Sequence, residues 1–142
     1  MSVYIPVTLQ RLVRERFGGN CAYCQTAERL TATTFEFEHI RPRSVGGETT
    51  FGNVCFSCPM CNRYKAASSS AVDPLTHIDV PLFHPQLQAW SEHFAWSGDG
   101  TEIMGLSPIG RATLAALQMN RAAMIRVRRM WVAMAEHPPT GE

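Results

Sequence analysis

Nowhere in the 142-residue sequence is there a run approaching the roughly 18–20 consecutive apolar residues of a membrane-spanning helix, which excludes that class and any membrane partner of that kind. Its first seventeen residues contain neither the apolar core nor the small-residue cleavage site of a secretory leader, so we expect a soluble, cytoplasmic protein. No internal repeat is present. Residues 66–110 contain no Arg or Lys at all, only five acidic residues. Basic charge is therefore confined to two blocks: eight Arg/Lys against five acids in residues 1–65, and five Arg against two Glu in residues 111–142. The net charge of +1 says nothing about partners, but such blocks are either phosphate-contacting surfaces or solvated helix faces. The cysteine count, five, is odd, which disfavours a closed disulfide framework. Apolar content of 45% is ordinary for one packed domain.

What is present divides into two stretches. Pro6 suits a first helical turn, and Leu9, Leu12, Val13, Arg16 and Phe17 follow at helical spacing up to Gly18-Gly19, so a helix is expected over residues 6–17. Residues 31–39 alternate, with Phe35 and Phe37 opposite Glu36 and Glu38, and read as a strand. Residues 41–50 carry Pro and Gly-Gly and read as a loop. A short strand, or a turn into a helix, follows at 51–56, and then a short helix at 59–67. Residues 68–70, all serine, form a linker. Residues 71–90 look irregular. Gly98-Asp99-Gly100 signals a hairpin between 93–97 and 101–106. Ser107-Pro108 starts a helix over 108–118, and Asn120 would cap a last helix reaching 136. In that helix Met124, Val127, Met130, Trp131 and Met134 form one stripe, with Arg126, Arg128 and Arg129 off it. The expected organisation is a core over 1–70 and an extension over 71–142 packed on it as one unit.

Four cysteines fall in two C-x-x-C pairs, Cys21/Cys24 and Cys58/Cys61, separated by thirty-three residues. In a reducing compartment two such knuckles read as a closed tetrahedral zinc site. Cys55 and Cys58 form an alternative second pair. The residues after Cys61 favour Cys58/Cys61, which leaves Cys55 to the core. Four thiolates leave no open position on the metal, so this zinc holds segments together and activates no water. Tyr23 and Tyr64 are expected to pack near the knuckles. His77, His84, His93 and His137 show no ligand spacing.

Between and after the knuckles lie Glu38-His39-Ile40-Arg41-Pro42, Gly46-Gly47, Asn53 and Cys61-Asn62-Arg63-Tyr64-Lys65. With these landmarks in this order, residues 21–65 resemble the HNH endonuclease family, in a four-Cys His-Asn-Asn variant. The stretches 81–85 and 105–111 also look like the extension of stand-alone bacterial and phage members. The resemblance implies an α+β fold: a zinc-stapled ββα-metal core with an N-terminal helix, then a hairpin plus two helices. It implies hydrolysis of DNA phosphodiester bonds, leaving 5′-phosphate and 3′-hydroxyl ends. It assigns His39 as general base, Glu38 and Asn62 as ligands of a catalytic Mg2+ or Mn2+, and Asn53 as the residue that pins the loop orienting His39. The family's acid is often Asp and its third motif residue often His; Glu38 and Asn62 depart from both. The residue types fit the chemistry: an unperturbed histidine near pH 6.5 suits proton removal, and carboxylate and amide oxygens suit hard divalent ions. Because successive strand residues face opposite ways, Glu38 and His39 serve one site only at a strand end.

Arg41, Arg43, Arg63, Lys65, Arg126, Arg128 and Arg129 are the candidate phosphate contacts. One active site per chain makes nicking natural, and a double-strand break would take two events or a homodimer. The competing reading is a non-catalytic zinc-knuckle module that binds nucleic acid or protein; it shares the cysteines and the basic blocks but has no use for Glu38, His39 and Asn62.

Overall fold

The computed structural model describes residues 4–140. It is an α+β structure of five α-helices and three two-stranded antiparallel sheets among the described residues. The chain forms two compact units. One ends at Ala67 and takes back His84–Leu87; the other comprises Ser68–Phe83 and the chain from Gln88 onward.

In the first unit, helix α1 (Val7–Arg16) follows Pro6 and buries Val13 completely. It ends at Gly18 and Gly19, whose φ of 62° and 76° lie in the left-handed region that favours glycine. Arg14 donates to Glu28 at 2.6 Å, and the other oxygen of Glu28 accepts from the Phe35 amide at 2.8 Å, aligning the chain for strand β1 (Glu36–His39). Strand β1 is shorter than the expected 31–39, because a 3-10 turn at Glu28–Leu30 and a bend occupy the approach. Strand β2 (Val54–Ser57) pairs antiparallel with β1, in the register Glu36↔Ser57 to His39↔Val54, and is buried along its whole length. Phe56 of β2 packs between Phe35 and Phe37, at ring-centroid distances of 5.5 and 5.2 Å. Helix α2 (Pro59–Lys65) follows at once, capped by Cys58. The returning segment is tied to this unit by Gln86, whose amide donates to the carbonyls of Phe51 and Val54 at 2.9 and 3.1 Å.

The second unit opens with a hairpin that the sequence pattern did not signal, β3 (Ser70–Val72) against β4 (Asp79–Pro81). Its turn is organised by Asp73, which accepts from the Leu75 amide, the Thr76 hydroxyl and, bidentately at 2.9 Å each, the Arg111 guanidinium. The Arg111 hydrogen bonds hold this carboxyl well below the usual carboxylate range. A short helix α3 (Trp90–His93) leads into the hairpin of β5 (Phe94–Trp96) and β6 (Ile103–Gly105). Helix α4 (Pro108–Ala116) is capped by the Ser107 hydroxyl, which accepts from the Gly110 amide at 2.9 Å. Gly110 has no room for a side chain, since a Cβ there would lie 2.0 Å from the His93 carbonyl oxygen. The buried ring of Phe94 meets Phe83 edge-on and stacks on the half-buried Trp90, each at a centroid distance of 5.2 Å.

The last helix, α5 (Ala122–Ala133), departs from the expected pattern in two ways. Arg121, not Asn120, is its N-cap. Asn120 instead bonds both the amide and the carbonyl of Ile103, at 2.8 and 2.7 Å. The expected apolar stripe is also rotated: Met130 and Met134 are more than half exposed, whereas Arg128 is fully buried. Arg128 is therefore not a phosphate contact. Its guanidinium donates to the carbonyls of Thr101 (3.1 Å) and Met119 (2.7 Å) and to the Asn120 side chain (3.0 Å), and lies over the Trp96 ring. A five-donor cation that finds fixed acceptors replaces water inside the unit and cross-links its loops. Arg126 and Arg129 remain exposed on the same helix. None of the described helices is long and apolar enough to cross a membrane. Replacing Arg128 with Met should cost about 3 kcal/mol or more in a denaturant titration, because buried acceptors lose their donors. Arg126→Ala should change stability by less than about 0.5 kcal/mol.

Candidate functional site

Two centres share the first unit. The first is the cysteine cluster. The sulfurs of Cys21, Cys24, Cys58 and Cys61 all lie within 4.8 Å of one another, and all four residues are buried. Cys24 and Cys58 approach to 3.8 Å, close to the sulfur–sulfur edge of a tetrahedron whose corners sit about 2.3 Å from one zinc ion. Burial pushes the Cys21 thiol well above its ordinary value, while hydrogen bonds from Cys21, Cys58 and Cys61 hold Cys24 well below it. Four buried thiols in this arrangement cannot ionise together without a cation among them, and the all-sulfur donor set fits zinc. The Cys58 sulfur also accepts from the Cys61 amide at 3.4 Å, so the second knuckle doubles as the start of α2. Cys55 lies outside the cluster, fully buried on β2.

The second centre lies along β1 and α2, from Asn62 beside Glu36 at the start of the strand to Lys65 beside Ile40 just past its end. Glu36 and Glu38 share one face of β1, and Phe37 and His39 the other. His39 is the last residue of the strand, and its Nε2 is 2.8 Å from the Thr49 hydroxyl. Burial, and then the charge of Arg43, pull its pKa below the ordinary histidine value. Asn53 clamps the loop that follows: its amide donates to the carbonyls of Arg41 (3.1 Å) and Glu48 (2.8 Å), and its Oδ1 accepts from the Arg41 amide at 2.8 Å. The loop closes tightly enough that a Cβ on Gly47 would sit 1.8 Å from the Arg41 carbonyl oxygen. Its neighbour Gly46 has φ 90°.

Asn62 is paired with Glu36, its amide donating to Oε1 at 2.6 Å. Glu38 turns inward, only 7% exposed, with the Cys55 thiol 3.5 Å from Oε1. Desolvation raises the Glu38 pKa; the charge of Lys65 and hydrogen bonds from Cys55 and Tyr23 oppose that shift. Lys65 is not a phosphate contact: it is 2% exposed, and its Nζ donates to the Ile40 carbonyl at 3.0 Å, buttressing the end of β1. Arg41, Arg43 and Arg63 stay exposed. Arg41 also folds back on its own loop, bonding the Val45 carbonyl at 3.0 Å.

Sequence reasoning did not single out Tyr23, Cys55, Thr49 or Glu36 for this centre. Only Glu36 left a signal, since strand alternation puts it on the face of Glu38.

The model of one family, described as HNH endonuclease, matches residues 21–72, which span both knuckles, β1, β2 and α2. The matched segment is similar to that family and contains the four clustered cysteines, whose arrangement fits zinc. No curated protein and no solved structure matches the chain.

The cluster geometry predicts one tightly held zinc per chain by elemental analysis. Cys58→Ser should release most of it and lower the melting temperature sharply, because metal binding is folding free energy here. Cys55→Ser should keep the zinc. Equal zinc loss in the two variants would mean that Cys55 is the ligand.

Proposed function

We propose that this chain is a metal-dependent endonuclease that hydrolyses phosphodiester bonds in DNA. The observation that supports this best is the arrangement along β1: His39 at its end with the Asn53-clamped loop beside it, and on the other face the carboxylates of Glu36 and Glu38, the first of them paired with Asn62 of α2. A zinc-knuckle binding module has no need of such a grouping.

In this reading His39 takes the proton from the attacking water. Thr49 engages Nε2, which leaves Nδ1 for that step. A hard divalent ion, Mg2+ or Mn2+, would be held by Glu38 and Asn62, and it would supply positive charge for the phosphoryl and leaving oxygens. Carboxylate and amide oxygens are the donor types such an ion prefers, and the low exposure of Glu38 keeps competing water away from it. Asn53 holds the Arg41–Glu48 loop, and with it the exit of the chain from His39. Arg41, Arg43 and Arg63 are the exposed cations beside this centre and would contact flanking phosphates; Arg126 and Arg129 would do so from α5. Products would carry 5′-phosphate and 3′-hydroxyl ends.

The test is cleavage of supercoiled plasmid by the zinc-loaded protein, with and without Mg2+ or Mn2+. His39→Ala should slow cutting by about 10²–10⁴-fold while zinc content and DNA affinity stay near wild type. An unchanged rate would return the protein to the non-catalytic binding module.

The pH dependence has a definite sign. The neutral imidazole is the active form, and both burial and Arg43 lower the His39 pKa. Cleavage should therefore rise with pH and level off at a lower pH than an unperturbed histidine would give. A nearby divalent ion acts in the same direction. Arg43→Ala should move the inflection upward, which a pH–rate profile under single-turnover conditions would show.

A further inference from the structure

Tyr23 lies inside the first zinc knuckle, between Cys21 and Cys24, and is fully buried. The knuckle fixes its backbone on both sides: the Ala22 amide donates to the Phe56 carbonyl at 2.7 Å, and the Cys21 amide to the Thr26 carbonyl at 2.8 Å. From there the phenol reaches the interior face of β1 and β2. Its oxygen is 3.8 Å from the Cys55 sulfur, and that sulfur is 3.5 Å from Glu38 Oε1. Cys55 and Glu38 are direct cross-strand partners, so the three groups form one buried polar cluster. The nearby Tyr23 hydroxyl opposes the rise that burial imposes on the Glu38 pKa, as a hydrogen-bonding group beside the carboxylate does. Burying a phenol against a carboxylate has a desolvation cost that a phenylalanine at the same place would avoid.

We infer that Tyr23 is a positioning residue: the zinc knuckle carries it so that its hydroxyl, with the Cys55 thiol, fixes the orientation of the Glu38 carboxylate toward a divalent cation. The cysteine cluster then does more than hold the fold, since it sets the geometry of the acid at the second centre. The inference rests on the proposal that Glu38 ligates such an ion. Groups that orient a ligand from behind typically contribute about 10–100-fold to metal affinity or activity.

The experiment uses the full-length, zinc-loaded protein and Mn2+ as the probe. Free Mn2+ is followed by electron paramagnetic resonance during titration, and plasmid cleavage is assayed in parallel. Tyr23→Phe retains the ring and both knuckle cysteines, so zinc content and melting temperature should stay close to wild type. The dissociation constant for Mn2+ should rise at least about tenfold, and raising Mn2+ should restore the cleavage rate. Cys55→Ser, which keeps a hydrogen-bond donor, should fall much closer to wild type than Cys55→Val. Wild-type Mn2+ affinity in a zinc-replete Tyr23→Phe protein overturns the inference. A wild-type protein that binds Mn2+ in a Tyr23-dependent way yet leaves plasmid intact overturns the nuclease reading and keeps the positioning role. A wild-type protein that binds no Mn2+ overturns both.

Discussion

Everything in the first unit depends on four sulfurs meeting at one point. Its sheet is two strands of four residues each, too small to be stable as an isolated hairpin. The helix that completes the motif, α2, has seven residues, below the length at which a helix stands alone in water. The Cys21/Cys24 knuckle precedes the sheet and the Cys58/Cys61 knuckle follows it. One ion bound by both would close the loop containing β1, β2 and the Asn53-clamped turn. Closing that loop removes chain entropy that the small apolar core could not offset by itself.

The same constraint explains why the charged residues divide as they do. Lys65 comes one turn after Cys61 on α2, and that spacing swings it back over the strand end, where it bonds the Ile40 carbonyl. In the second unit Arg128 plays the corresponding part, capping the carbonyls of Thr101 and Met119. Both residues lie in basic blocks, and sequence alone does not distinguish an interior cation from a surface one. A lysine or arginine is driven inside when the backbone leaves carbonyl groups without donors, and such carbonyls become visible only once the turns are folded.

The parts of the fold that were legible were those whose spacing is dictated by a rigid partner. Metal geometry fixes C-x-x-C, and the sharp loop fixes Gly46-Gly47 before Asn53. Ser107-Pro108 reads as a helix start because a hydroxyl cap and a preset φ act locally. The β3–β4 hairpin was not legible because its turn is held by Arg111, thirty-eight residues away, and not by a Gly or Asn signature. The orientation of α5 was misread for a similar reason: five apolar residues made a plausible stripe, but the acceptors that draw Arg128 inward belong to the β5–β6 turn region and to the loop before the helix. At the second centre the order Glu38, His39, Asn53, Asn62 could be read directly. The pairing of Asn62 with Glu36 could not, because it depends on how far α2 sits along β1.

That offset between helix and strand also separates the two centres chemically. Cys61 and Asn62 are neighbours on α2, so one faces the sulfur cluster and the other turns to the acids of β1. The sulfur side is closed: four thiolates around a tetrahedral ion would leave no position for water. The oxygen side is open at Glu36, which is exposed, while Glu38 beside it is buried and His39, on the other face, is partly covered. Hydrolytic chemistry needs a centre that water and substrate can enter, so it belongs on the oxygen side. The sulfur side contributes rigidity, which it delivers within one helical turn through Cys61 and across the strands through Tyr23. A shift of α2 by a single residue would turn Asn62 away from Glu36 and detach Lys65 from Ile40, so the fixed register of that helix ties the fold of this unit to the chemistry proposed for it.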